Sequence, residues 1–210
     1  MDGVIDMEKA RALTGDKELW PRVRDFIWNF AMQIDPSWRE GTNIPAGLDS
    51  PRVRRYLLDT LGVKPCFHDF PADDGSRLLL LDAATLESVA KWLGALACAD
   101  GLRRVTDGAT VRELKQALPG VYPEVFGYTA YFKMPAKTAK TAGEVVACGY
   151  EMLSSALAGL PEPLRARLQF KLPRGSCDFA GKPGDGAKTL AAVLKLLKLK
   201  FPEAYAICCS

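Results

Sequence analysis

The sequence predicts a mainly α-helical fold, a single-domain irregular helical bundle, on three observations. Apolar residues recur at helical spacing in several separate stretches, start and stop residues bracket those stretches, and the alternation of a half-buried strand is scarce. The exception is Leu78–Leu81, four leucines that read equally well as a short β element or as the lead-in to a helix. At 210 residues the chain is long enough to bury a substantial core without disulfides. The expected organisation is an N-terminal segment over 1–18, partly flexible, a helical domain over 19–202 and a tail over 203–210.

The first helix is expected from Trp20 to Gln33, with Val23, Ile27 and Phe30 on one stripe and Pro21 tolerated in the first turn. Asp35-Pro-Ser-Trp38 breaks it. Residues 41–49 form a loop by composition, and Ser50-Pro51 then caps a second helix that Gly62 closes. Val53, Tyr56, Leu57 and Leu61 are expected to face inward, with Arg52 and Arg55 outward and Asp59 one turn from Arg55. Residues 63–75 read as a connector.

The strongest helical signal runs from Asp82, a cap, through Leu86, Val89, Ala90, Leu93, Leu96 and Ala97, which share one face. Gly101 is expected to end it in a left-handed conformation, and Thr110 with Glu113 has the spacing of a capping box for the next helix. Val121–Lys133 is read as helix despite Pro123. Thr141 and Glu144 form a second capping box, ahead of Val145, Cys148, Met152 and either Leu153 or Ala156, and Gly159 ends that helix. Leu164 and Leu168 belong to a short helix begun by Pro161 and Pro163 and stopped by Pro173. After a loop over 174–186, a last helix over 187–200 is expected to bury Leu190, Leu194, Leu197 and Phe201. Lys188, Lys195 and Lys198 share another of its faces.

With 28 Lys plus Arg against 25 Asp plus Glu the net charge is +3, too small for a global field that attracts a polyanion. Neither a signal peptide nor a run of ~20 apolar residues is present, so the protein is expected in the cytoplasm. Its cysteines, Cys66, Cys98, Cys148, Cys177, Cys208 and Cys209, are expected to be free thiols.

No motif for chemistry survives inspection. Gly181-Lys-Pro-Gly-Asp-Gly186-Ala-Lys-Thr189 resembles a phosphate loop, but Ala187 separates the lysine from the glycine it should follow. Cys66 and His68 stand two apart without the second ligand pair that structural zinc needs. They are also the only residues that offer a cysteine–histidine nucleophile, which defines the alternative reading as a small hydrolase or transferase. Asp73-Asp74 precede Gly75-Ser76 and read as turn residues. The lysine stripe and Arg52, Arg54 and Arg55 define a second alternative, a nucleic-acid-binding regulator. Arginine and tryptophan are enriched among residues that dominate interface energy, which makes Trp38, Arg52, Arg55, Arg103 and Arg104 the candidate partner contacts.

Phe26-Ile-Trp-Asn-Phe-Ala31, continuing to Asp35-Pro-Ser-Trp38, resembles the N-terminal signature of the YscK/SctK family of type III secretion proteins. Leu78–Leu81 followed by Leu93-Gly-Ala-Leu96, then Leu102-Arg-Arg-Val-Thr-Asp-Gly-Ala109, resemble the middle of that family. Leu164-Arg-Ala-Arg-Leu-Gln-Phe-Lys-Leu-Pro173 resembles its late helix. The likeness covers roughly residues 20–175. It implies a non-catalytic cytoplasmic adaptor of the injectisome sorting platform, without a cofactor, that links the inner-membrane ring's cytoplasmic domain to the C-ring-like pod protein. Nucleic acid is not an implied partner, and the membrane is reached only through the ring.

One consequence is independent of the resemblance. Leu93→Asp puts a carboxylate in the middle of the strongest apolar stripe, where desolvation adds to lost packing, and the variant should unfold or aggregate. An unchanged melting temperature would remove this face from the core.

Overall fold

The structure is a computed structural model and describes residues 19–40, 42, 50–63, 74–177 and 186–209. Among them there are helices and no strand. The chain divides into two compact units, one of Met1–Ala83, Leu160–Gly175 and Glu203–Ser210, the other of Ala84–Gly159 and Ser176–Pro202.

In the first unit, α1 spans Trp20–Trp28 and stops five residues before its expected end. Asn29 leaves the helical region, with φ −103° and ψ 17°, while its side-chain amide donates to Asp25 Oδ1 at 2.9 Å. A 3-10 turn over Phe30–Gln33 carries the chain on. Val23, Phe26, Ile27 and Phe30 are buried as the stripe requires. Asp35 then caps a second 3-10 turn, Pro36–Trp38, by accepting from the Ser37 N–H at 2.9 Å.

Ser50 caps α2, Pro51–Thr60, and Gly62 adopts φ +66°, which a side chain would disfavour. Leu57 is its buried residue, with Val53 and Leu61 half-buried. Tyr56 is not core: it is 53% exposed, one residue round the helix from Leu57. The connector over 63–75 falls mostly outside the described residues. The short α3, Asp74–Arg77, runs into Leu78–Leu80, and these leucines form a 3-10 turn rather than a strand, all buried with Leu81. The fifteen apolar and mixed residues that follow favour helix, so the leucines serve as its lead-in. α8, Glu162–Lys171, and α10, Pro202–Cys209, complete the unit's helices, α10 lying within the stretch assigned to a tail.

α4, Ala83–Ala97, continues from that lead-in, and Leu86, Val89, Ala90, Leu93, Leu96 and Ala97 are all buried. Gly101 does not end it. The helix stops at Ala97, a short α5 follows over Ala99–Leu102, and Gly101 lies inside it without positive φ. The expected Thr110–Glu113 box also loses to a nearer cap. Asp107 accepts from the N–H of Thr110 at 2.8 Å and from its hydroxyl at 2.7 Å, so α6 begins at Gly108 and ends at Ala117. An aspartate three residues earlier caps the N–H of Thr110 itself, which places the threonine inside the helix instead of at its cap. Val121–Lys133 is not a helix either. Pro123 lacks the N–H a continuous helix requires there, and the segment breaks into 3-10 turns at Glu124–Gly127 and Thr129–Tyr131.

α7, Ala142–Ala156, carries the predicted capping box, with Thr141 Oγ1 accepting from Glu144 N–H and Glu144 accepting from the Thr141 N–H, both at 3.3 Å. α4 and α7 cross backbone to backbone. A Cβ at Gly94 would stand 1.9 Å from the Val145 carbonyl oxygen, and one at Gly149 would stand 1.8 Å from that of Ala90. Along α7 packs α9, Gly186–Lys200. Its buried residues are Thr189, Val193, Leu196 and Leu197, so of the expected face only Leu197 is buried. Leu190, Leu194 and Phe201 are half-buried at the margin, because the apolar arc of this helix is wide and its leucines alone do not mark the centre.

The crossing makes a signed prediction. Gly→Ala in a helix ordinarily stabilises by up to about 1 kcal/mol. At Gly94 or Gly149 the methyl meets backbone, and the change should instead destabilise by about 1–3 kcal/mol, seen as a lowered denaturation midpoint. Gly143→Ala, in open space near the start of α7, is the control and should not destabilise.

Candidate functional site

Two cations of α8, one turn apart, organise the first unit. Arg167 is 2% exposed and donates from Nη1 to the carbonyl oxygens of Phe26 at 2.6 Å and Ile27 at 3.3 Å. Its guanidinium lies 5.4 Å from the Phe26 ring centroid and 4.8 Å from that of Phe30. Lys171, also 2% exposed, donates from Nζ to the carbonyls of Leu79 at 2.8 Å and Leu81 at 2.6 Å. These carbonyls close α1 and the leucine 3-10 turn, where a helix runs out of its own N–H donors. Burial pushes the Lys171 pKa down to about 7, against the opposing pull of Asp82. A neutral amine still has two N–H groups, enough for both carbonyls.

Lys171 also borders a groove of about 420 Å³. Phe26, Ile34, Leu80 and Leu81 give it apolar walls, Met32 stands at its edge 58% exposed, and Arg22, Asp25, Asp35 and Asp82 supply charge. The amine is committed to backbone carbonyls, so what the groove offers a visitor is apolar surface with mixed charge around it.

The residues singled out as partner contacts fall into two groups. In the first unit Arg52 and Arg55 are exposed on α2, whereas Trp38 is engaged. Its Nε1 donates to the Leu172 carbonyl at 2.8 Å, its ring stands edge-on to Phe170 at 4.7 Å, and the Arg174 guanidinium lies 5.6 Å from it. The Asp35 N–H donates to Phe170 O at 2.8 Å, and the Arg174 N–H to Ser37 Oγ at 2.9 Å. Asp35-Pro-Ser-Trp38 is thus a clamp on the end of α8. In the second unit Arg104 is exposed, while Arg103 donates to Thr129 Oγ1 at 2.7 Å and to Phe126 O at 3.3 Å and pairs with Asp100 at 3.5 Å. The sequence reading missed Arg167, Lys171 and the groove. Their only signal was a pair of cations at i and i+4 on the same stripe as Leu164 and Leu168.

Cys66, His68, Asp73 and most of the glycine-rich loop lie outside the described residues. Cys98, Cys148, Cys177, Cys208 and Cys209 are free thiols. The Cys98 thiol is pushed up to about 12 by burial and by Cys148 beside it, which keeps it protonated and a poor nucleophile. Among the described residues no group of three or more His, Cys, Asp or Glu is placed to hold a metal ion. No described helix is long and apolar enough to cross a membrane.

A helical protein with a clamped aromatic signature and buried structural cations is the class defined so far. Residues 27–122 match the family model YscK, YOP proteins translocation protein K, a type III secretion protein family. The family read from the sequence is therefore matched over this stretch, and the match supports a relation to type III secretion. The match takes in the clamp, the leucine turn and the α4–α6 region, and ends before α8. No curated protein and no solved structure matches.

Lys171 gives the site a pH dependence whose sign is fixed. Its folded pKa of about 7 lies below the unfolded value of 10.5, so between these values the unfolded chain binds more protons. Stability should therefore rise with pH from about 7, by at most about 1.4 kcal/mol per unit. Buried thiols work the other way once the unfolded chain's cysteines ionise near pH 8.5, so the clean window is pH 7 to 8.5. Urea midpoints should increase across it, and Lys171→Met should flatten the increase.

Proposed function

We propose that this protein is a non-catalytic adaptor of the type III secretion sorting platform, held in the cytoplasm at the inner membrane through the secretion apparatus. It links the cytoplasmic domain of an inner-membrane ring protein to a C-ring-like pod protein. The observation that carries this reading is the YscK match over residues 27–122. The geometry supports it in one respect: the buried cations Arg167 and Lys171 are spent on backbone carbonyls, while Arg52 and Arg55 are exposed on α2.

Arg52 and Arg55 on α2 are the contacts proposed in the first unit, and Arg104 in the second. Arg103 contributes through its exposed face only, since its guanidinium also holds the Thr129 turn. Trp38 offers ring surface but no donor, because its N–H is used. Exposed charges steer association more than they add affinity. Arg52→Glu with Arg55→Glu should therefore slow complex formation and leave the unfolding free energy within about 0.5 kcal/mol of wild type.

The deciding experiment is a pull-down of the tagged full chain from a secreting cell. Ring and pod components should co-purify, and the Arg52/Arg55 reversal should deplete one of them. Recovery of neither, at low as well as moderate salt, would end the adaptor reading.

A further inference from the structure

The helices that meet at Gly94 and Gly149 bring a pair of thiols together beside their crossing. Cys98, just past the end of α4, donates its N–H to the Gly94 carbonyl at 2.9 Å and so stands one turn beyond that glycine. Cys148 directly precedes Gly149, whose backbone nitrogen would lie 2.9 Å from a Cβ at Gly94. The backbones approach more closely here than in ordinary helix packing, and the Cys98 thiol donates a hydrogen bond to the Cys148 sulfur. Lys137 fixes the same juxtaposition from a third segment. Its N–H donates at 2.9 Å to the carbonyl of Ala97, next to Cys98, while its Nζ pairs at 2.8 Å with Glu151, one turn on from Cys148. Its charge acts on both sulfurs.

The two thiols are not equivalent. Cys98 is fully buried, and its thiol is held protonated first by that burial and then by Cys148. Cys148 is half-buried, so an oxidant arriving from solution meets it first. The carboxylates nearby are already engaged. Glu151 is paired with Lys137, and Glu144 accepts from the N–H groups of Lys140 and Thr141.

We propose that Cys148 and Cys98 are a redox-responsive pair that a peroxide closes into a disulfide, stapling α4 to α7. The Cys148 thiolate attacks one oxygen of hydrogen peroxide, the O–O bond breaks, and hydroxide leaves with the proton that Cys148 gave up, as water. Cys148 is then a sulfenic acid. Neutralising that sulfur removes the charge that helped to hold the Cys98 proton, and the Lys137 cation favours the thiolate that forms. Cys98 sulfur attacks Cys148 sulfur, the S–O bond breaks, and the hydroxyl leaves with the Cys98 proton as a second water. The two sulfurs have supplied the electron pair that reduces the peroxide. A dithiol reductant reverses the bond. This goes beyond the adaptor reading and does not depend on it.

The test uses the full chain, reduced and freed of reductant, treated with hydrogen peroxide, alkylated, and mapped by mass spectrometry without reduction. The expected product is a monomer cross-linked between Cys98 and Cys148. It should melt at a higher temperature than the reduced chain, because the bond constrains the unfolded state, and dithiothreitol should restore the lower melting point. Dimedone, which traps sulfenic acid, should label Cys148 about tenfold more in Cys98→Ser than in wild type, where the disulfide closes first. Cys148→Ala should lose the cross-link and leave Cys98 an unmodified thiol at the same peroxide dose. Because Cys148 is only half-buried, that variant provides the reading if Cys98→Ser does not fold.

Oxidation of wild-type Cys148 to sulfinic acid with Cys98 still a thiol would overturn the proposal, as would reaction of Cys98 in Cys148→Ala. So would a cross-link found only between two chains, or one that joins either cysteine to Cys66, Cys177, Cys208 or Cys209 instead. A cross-linked chain that melts no higher than the reduced one would also overturn it, since the bond would then strain the crossing rather than staple it.

Discussion

The first unit depends on α8 delivering two cations to carbonyls that no helix can satisfy. α1 ends at Trp28 and the leucine turn ends at Leu81, each leaving carbonyl oxygens inside an apolar environment. An unsatisfied buried carbonyl costs about 1–3 kcal/mol, a large share of the stability of any domain. Arg167 and Lys171 each take two of them. The desolvation they suffer differs in its resolution. Arginine stays charged and recovers part of the loss over the Phe26 and Phe30 faces, whereas lysine can shed its proton and keep both hydrogen bonds. Replacing either by an apolar residue would relieve the desolvation but strand the carbonyls.

The helices were legible wherever the signal was local. Ser50-Pro51, the Thr141–Glu144 box and the Leu86–Ala97 stripe each need only a few neighbouring residues to act, and each forms as read. Failures came where two local signals competed or where a distant group decided. Asp107 took the cap position from Thr110 by accepting from the threonine's own N–H, and Asn29 ended α1 with a side-chain bond to Asp25 that a periodicity argument ignores. The face of α9 was displaced because its centre is set by packing along α7, including Gly186 beside Ser155, and not by where leucines are densest.

The second unit rests on a different economy. At the α4–α7 crossing the elements approach so closely that Gly94 and Gly149 leave no room for a methyl group. Neither glycine carries a turn signal, and in a helical stretch each reads as a weak point costing about 1 kcal/mol. The packing gained from backbone contact repays that cost, but only a structure shows which glycines are contacts. Cys98 and the half-buried Cys148 flank the crossing, and the buried Cys98 acts as a small apolar side chain there.

The candidate contacts were chosen on side-chain type, and type proved a poor guide to availability. Trp38 and Arg103 have the chemistry that dominates interfaces, yet the fold already uses it: the indole N–H holds Leu172, and the guanidinium holds Thr129. The same features that make these residues good anchors for a partner make them good anchors for the chain itself, so enrichment statistics cannot separate the two uses. Accounting for each donor can. A polar group with its hydrogen bonds spent inside the unit would have to break them to serve a partner. An exposed side chain with no internal role has only solvent to lose. By that measure Arg52 and Arg55 rank above Trp38, because their exposure, rather than their identity, sets what binding can gain.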